Sequence, residues 1–252
     1  TTDGTNLYVA DAINHKIRKI VIDNGTVTTF AGPPAGTVES GSTDNATPSN
    51  ARFNLPLGIT TDGPNFYVAD WGNHKIRKIV ISTGEVTTFA GSGNSGSADN
   101  ATGTSATFQN PMGITTDGTN LYVADAINHK IRKIVIDNGT VTTFAGPPAG
   151  TVESGSTDNA TPSNARFNRP YGITTDGTNL YVAEAANNKI RKIVISSGVV
   201  TTLAGPAAGS STNDNGSTDG TGSAARFYRP YGITTDGTNL YVAEAANNKI
   251  RK

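Results

Sequence analysis

Residues 111–145 read PMGITTDGTNLYVADAINHKIRKIVIDNGTVTTFA. Gly113-Ile114-Thr115-Thr116 is a short β-branched run ended by Asp117-Gly118, a dipeptide suited to a tight hairpin because Gly takes φ > 0 without steric cost. Asn120 to Ala124 alternates into a second strand, Lys130 to Ile136 gives a third, and Val141 to Ala145 a fourth. Asp137-Asn138-Gly139 supplies the last turn. No helical periodicity interrupts them. Side chains alternate along a strand, so Ile17, Lys19 and Val21 of the equivalent third strand point one way, and Lys16, Arg18, Ile20 and Ile22 the other. Both faces become apolar toward the strand end, which suits a sheet buried on both sides with charge kept near one rim.

The same pattern recurs along the chain. T-T-D-G begins at Thr1, Thr60, Thr115, Thr174 and Thr234, so the spacings are 59, 55, 59 and 60 residues. Residues 1–54 and 115–168 are identical, as are 169–192 and 229–252. Serial four-stranded antiparallel units on tight turns predict an all-β fold, a β-propeller spanning 1–252 as one domain, with four whole repeats and a partial fifth. The first copy lacks the P-x-G-I that precedes T-T-D elsewhere, and the fifth stops inside its third strand. The expectation is a piece of a longer protein, with the ring incomplete or closed by other residues. The segments between repeats, such as Gly146 to Asn168, are rich in Gly, Pro, Ser, Thr and Asn and read as long surface loops.

Composition narrows the function. Among the 252 residues, 20 Lys+Arg balance 20 Asp+Glu, so no net charge draws the chain to phosphate. No apolar run reaches the roughly 20 residues of a membrane span. Zero cysteine excludes disulfides and thiolate chemistry. Abundant Thr, Asn, Gly and Ser with only 16% charged residues suits an extracellular or cell-surface setting.

P-x-G-I-T-T-D-G-x-N-L-Y-V-A-D-x-x-N-H-K-I-R-K resembles the NHL repeat, and V-T-T-F-A-G followed by an A-R-F-x-x-P loop resembles its bacterial long-loop form. The resemblance covers essentially the whole chain. It implies a propeller, six-bladed in most of the family, with the first strand of each blade lining a central channel. It also implies that the second-to-third strand turns and the interblade loops share one face. The family includes protein-binding scaffolds, RNA-binding domains, sensor ectodomains and a zinc-dependent lyase, so it implies no single activity.

The lyase carries no catalytic residue onto this chain. His15, His74 and His129 occupy one turn position in successive repeats, where Asn188 and Asn248 replace them, so they read as solvated turn residues rather than zinc ligands. Asp3, Asp62, Asp117, Asp176 and Asp236 read as turn carboxylates accepting backbone N–H bonds, in preference to a cation ring at the channel mouth. No metal, cofactor or catalytic residue is therefore expected. Fifteen of the 20 basic residues sit in K-I-R-K strings, and Lys16, Lys75, Lys130, Lys189 and Lys249 on the loop face would make a basic ring for RNA. Acids in the interblade loops, including Asp44, Asp99, Asp158 and Asp219, oppose it. Arg18 and its equivalents are expected to pair with Asp11, Asp70, Asp125, Glu184 and Glu244 instead, which disfavours nucleic acid.

Near-identical repeats make their differences informative. Before P-x-G stand Leu55, Asn110, Arg169 and Arg229, and within it Leu57, Met112, Tyr171 and Tyr231. Trp71 is the only tryptophan and lies in a second-to-third strand turn. Trp, Tyr and Arg combine large apolar area with directional hydrogen bonding, as binding anchors do. The sequence thus predicts a non-catalytic binding or scaffold module whose ligand-binding residues are Trp71, Met112, Arg169, Tyr171, Arg229 and Tyr231, with protein or glycan as partner. Drift at permissive loop positions would produce the same differences. Self-association through unclosed blade faces, building a filament or array, is the structural alternative.

Overall fold

The computed structural model describes residues 1–210 and 214–252. Its strands are β1 (Asn6–Asp11), β2 (Lys16–Val21), β3 (Val27–Ala31), β4 (Pro56–Thr61), β5 (Asn65–Asp70), β6 (Lys75–Val80), β7 (Val86–Ala90), β8 (Pro111–Thr116), β9 (Asn120–Asp125), β10 (Lys130–Val135), β11 (Val141–Ala145), β12 (Pro170–Thr175), β13 (Asn179–Glu184), β14 (Lys189–Val194), β15 (Val200–Ala204), β16 (Pro230–Thr235), β17 (Leu240–Glu244) and β18 (Lys249–Arg251). They form five antiparallel sheets: β1-β2-β3, β4 to β7, β8 to β11, β12 to β15, and β16-β17-β18. The fold is an all-β, five-bladed propeller. Sheets two to four have the predicted four strands; the first lacks an inner strand and the fifth an outer one.

Burial follows the alternation read from the sequence. In sheet three, Leu121, Val123, Ile134 and Val141 face back toward sheet two and meet its Tyr67, Ala69, Ile76 and Ala90. Equivalent residues meet at the junctions of sheets one with two and three with four, and Ala183 and Ile190 meet Val242 at that of sheets four and five. The apolar cores therefore lie between sheets. At 25 cal/mol per Å² of apolar area, this burial is the main force ordering them.

The loops between sheets are not merely surface connections. Ala51 and Phe53, Ala106 and Phe108, Ala165 and Phe167, and Ala225 and Phe227 are buried in the junction cores. Each follows a single 3-10 turn, such as Pro48–Asn50 or Pro162–Asn164. This corrects the sequence reading, because a polar stretch hid one apolar plug per loop.

The innermost strands β4, β8, β12 and β16 run side by side around a channel. Their approach leaves no room for a side chain at one position. A Cβ on Gly113 would sit 2.4 Å from the backbone carbonyl oxygen of Tyr171. Gly58 and Gly172 stand in the same relation to Met112 and Tyr231.

The predicted Arg–carboxylate pairs form in all five sheets. Arg132 is fully buried, 2.9 Å from Asp125 and 2.7 Å from Asp99, with its guanidinium over the Phe108 ring. Asp99 belongs to the loop acids expected to oppose a basic ring; they bind the arginines directly, as Asp44, Asp158 and Asp219 also do. Burying a charge is tolerable only when it is paired and hydrogen-bonded, which this arrangement provides. Burial still pushes the Asp125 and Glu184 carboxyls up from their ordinary values, opposed by the guanidinium beside each.

Candidate functional site

The site begins with a backbone irregularity. His15, His74, His129, Asn188 and Asn248 all have φ between 51° and 56°, at the end of the turn between the second and third strands. Asn and His are among the non-glycine residues that tolerate this left-handed region best. The side chains of the first four reach the next sheet. The backbone N–H groups of Leu55, Asn110 and Arg169 donate to Nδ1 of His15, His74 and His129, at 3.0, 3.2 and 3.1 Å. The N–H of Arg229 donates to Oδ1 of Asn188 at 3.0 Å.

The histidines are therefore half-buried latches between sheets, not solvated turn residues. Asn replaces His because either one presents an acceptor. Accepting at Nδ1 requires the neutral ring. Burial accordingly holds the His74 and His129 imidazoles below their ordinary value, and Arg169 adds to the effect on His129.

The latched residues also have positive φ, with Leu55 at 52°, Asn110 at 57°, and Arg169 and Arg229 at 51°. Each immediately precedes the proline that opens an innermost strand. Their side chains stand on the face that carries the second-to-third strand turns, and Arg169 and Arg229 are exposed.

At the junction of sheets four and five, Arg169, Tyr171, Tyr228, Arg229 and Tyr231 line a recess of about 370 Å³. Asn168, Asn188 and Asn215 also line it, and Ala185 and Ala186 are its only aliphatic lining among the described residues. Tyr171 and Tyr231 meet edge to face with ring centroids 4.7 Å apart, a favoured aromatic geometry.

Four of the six predicted site residues thus converge. Met112 stands beside them at the channel, in a shallow opening shared with Leu57, Tyr171 and Tyr231. Trp71 does not join them. It is half-buried in the 3-10 turn Trp71–Asn73, where its carbonyl accepts a bond from Asn110 Nδ2 at 3.3 Å.

Most other polar side chains of these types are committed to the frame. Asp3 accepts bonds from the backbone of Thr5 and Asn6, as the turn reading predicts, and Tyr8 donates its hydroxyl to the other carboxylate oxygen. The tyrosine partner escaped the sequence reading, yet it repeats at Tyr67, Tyr122, Tyr181 and Tyr241. It was visible as the recurrent D-G-x-N-x-Y spacing.

The remaining three of the eight tyrosines, Tyr171, Tyr228 and Tyr231, have no protein partner for their hydroxyls among the described residues, and all three line the recess. Eight of the ten arginines pair with carboxylates. Among the described residues only Arg169 and Arg229 do not, and both line the same recess.

Lys16, Lys130 and Lys189 of the expected basic ring are buried, whereas Lys249 is exposed. Lys130 Nζ donates to Ser97 Oγ and to the carbonyls of Pro148 and Thr151, and burial pulls the ammonium down to about 8. Lys75 and Lys189 donate to Ser42 and Ser156. The carboxylates and histidines described here do not cluster in threes as a metal would require.

A larger cavity, about 830 Å³, lies elsewhere, at the outer part of the same junction, and includes Tyr181, Ile190, Leu203, Phe227 and Ile250. Ile134 and Val141 fill the corresponding space in the core between sheets two and three. The fifth sheet, which ends at its third strand, offers no such pair.

No protein-family model matches the chain. It is 30% identical over 275 residues to the NHL repeat-containing protein 2 of Bos taurus, covering 97% of this chain and 37% of that protein. The chain thus spans little more than a third of that relative. Among solved structures it is similar to an auxiliary nutrient binding protein of Bacteroides ovatus, with a TM-score of 0.63 and 16% identity over 99% of this chain and 66% of that one. It is also similar to virginiamycin B lyase of Staphylococcus aureus in complex with quinupristin, with a TM-score of 0.53 and 19% identity over 97% and 61%. Likeness at these identities speaks for the fold.

Proposed function

The chain is an NHL-repeat β-propeller, and we propose that it works as a non-catalytic binding module whose ligand site is the recess between sheets four and five. One observation carries this reading. Among the described residues, the arginines without a carboxylate and the tyrosine hydroxyls without a protein partner gather in one recess, while their counterparts elsewhere hold the frame together. Polar groups that the fold does not pair remain available to a ligand. A solved neighbour described as a nutrient binding protein supports a binding role, and the ligand is a protein or a glycan. An extracellular or cell-surface location belongs to the same proposal and rests on composition.

The test copies one junction onto another. Arg169→Asn with Tyr171→Met, and Arg229→Asn with Tyr231→Met, install the Asn110/Met112 pair that sheet three already carries. A glycan array and a pull-down with the parent chain, repeated with this fourfold variant, should show a partner that the variant loses. A partner retained by the variant would move the site off the recess.

A further inference from the structure

We infer that the recess recognises a carboxylate carried on a sugar ring, that is, one unit of an acidic polysaccharide; this rests on the recess being the binding site. The charge comes first. Arg169 and Arg229 bring two guanidiniums to a wall that, among the described residues, holds no acidic one. The carboxylates at the ends of the neighbouring second strands are fully engaged. Glu184 accepts from Arg191, Asn187 and the N–H of Asn168, and Glu244 from Arg251, Asn247 and the N–H of Tyr228. A chain of zero net charge therefore carries a local surplus of two positive charges at one recess. The guanidinium fork matches the two oxygens of a carboxylate, which makes paired, planar recognition the natural use of these residues.

The rest of the wall selects what carries the carboxylate. The hydroxyls of three tyrosines and the amide of Asn168 stand beside the arginines, whereas aliphatic lining among the described residues is limited to Ala185 and Ala186. Amide and hydroxyl groups both donate and accept, as a ring bearing several hydroxyls requires. The Tyr171–Tyr231 pair adds aromatic surface against which the C–H face of such a ring can lie. An apolar anchor would find little to bury here. A volume of about 370 Å³ is near the lower end of ligand pockets, which suits a small unit of a longer chain.

The other junctions sharpen the assignment. The first two junctions carry the same latch and the same inner strands, but Leu55 with Leu57, and Asn110 with Met112, stand where the Arg–Tyr pairs stand at the next two. Charge and aromatic surface change together, at adjacent sheets, on an unchanged backbone.

The experiment is calorimetric titration of the whole chain with trigalacturonate, maltotriose, triglutamate and inorganic phosphate, followed by aromatic NMR of Tyr171 and Tyr231. Trigalacturonate should bind, weaken as salt rises, and lose about tenfold or more in affinity in Arg169→Asn and in Arg229→Asn, the loss of one charge-assisted contact. Maltotriose, triglutamate and phosphate should each bind at least about tenfold more weakly. Thermal melts that match the parent would show that the variants fold.

Maltotriose binding as tightly as trigalacturonate, or affinity unchanged in both arginine variants, would overturn the carboxylate. Triglutamate or phosphate binding equally well would overturn the sugar. In any of these cases shifts at Tyr171 and Tyr231 would leave the recess standing as a binding site. If no probe moves those two residues, and the glycan array and pull-down find no partner that the fourfold variant loses, the binding site falls together with its ligand.

Discussion

At the junction of sheets two and three, His74 holds the N–H of Asn110, and Met112 follows at the channel; at the junction of sheets four and five, Asn188 holds Arg229, and Tyr231 follows. The frame around each is alike. A phenylalanine from the loop plugs each core, Phe108 in one and Phe227 in the other, and an arginine lies over its ring. What differs is the surface that the frame displays. Fold and recognition are thus assigned to separate residues within one repeat, and substitutions at the two junctions should separate them experimentally.

The largest effect should come from the buried charge. Arg132→Ala strands Asp125 in the junction core and should cost about 3–5 kcal/mol in urea unfolding. Arg251→Ala should cost clearly less, because Arg251 is 12% exposed and its second partner, Asp219, is 94% exposed. Equal costs would mean that the two arginines are not held differently. Next in size is the channel. Gly113→Ala drives a Cβ against the Tyr171 carbonyl and should cost about 1–3 kcal/mol, whereas Gly232→Ala, whose nearest neighbour is the Ala243 Cβ at 3.6 Å, should be nearly silent.

The latches should differ in their response to pH. His74 and His129 have folded values held below the ordinary 6.5, so protonation favours the unfolded chain. Their contribution is complete above that value and is lost as pH falls through the depressed folded one. Asp125 opposes the shift at His74 without reversing it. Each latch should be worth about 1 kcal/mol. His74→Asn, which copies Asn188, should remove this part of the acid sensitivity and leave stability at pH 8 nearly unchanged; an unaltered pH profile would show that the ring carries no latch. Smallest of all is the display surface: the fourfold Asn/Met variant should change stability by no more than about 0.5 kcal/mol while abolishing ligand binding. A larger loss would show that the Arg–Tyr pairs also hold the frame.

The strands of sheet three were legible because their causes are local. Alternating side chains, Asp117-Gly118 and the turn at Asp137-Asn138-Gly139 define them within a few residues of chain. The Arg132–Asp125 pair was legible for the same reason, since the two lie seven residues apart across one hairpin. The second acid, Asp99, lies 33 residues away, and the His15 latch spans 40, so neither spacing announces a contact. Of the candidate site, Arg169, Tyr171, Arg229 and Tyr231 were found through disagreement between repeats, a signal that needs no knowledge of distance. Trp71 was chosen for its chemistry, and its place in a turn gave no warning that a different junction would claim it.

The position of the apolar cores has a consequence for how such a chain can lengthen. Each sheet brings one half of an interface on its leading face and the other half on its trailing face, and the halves are the same from sheet to sheet. A duplicated repeat therefore arrives with both mating surfaces already solved, and any repeat can follow any other. The identical stretches 1–54 and 115–168 fit that freedom. Interchangeable parts let new pairs of neighbours arise by reordering alone, and a recess that lies across two sheets, as this one does, is made whenever two suitable repeats become adjacent.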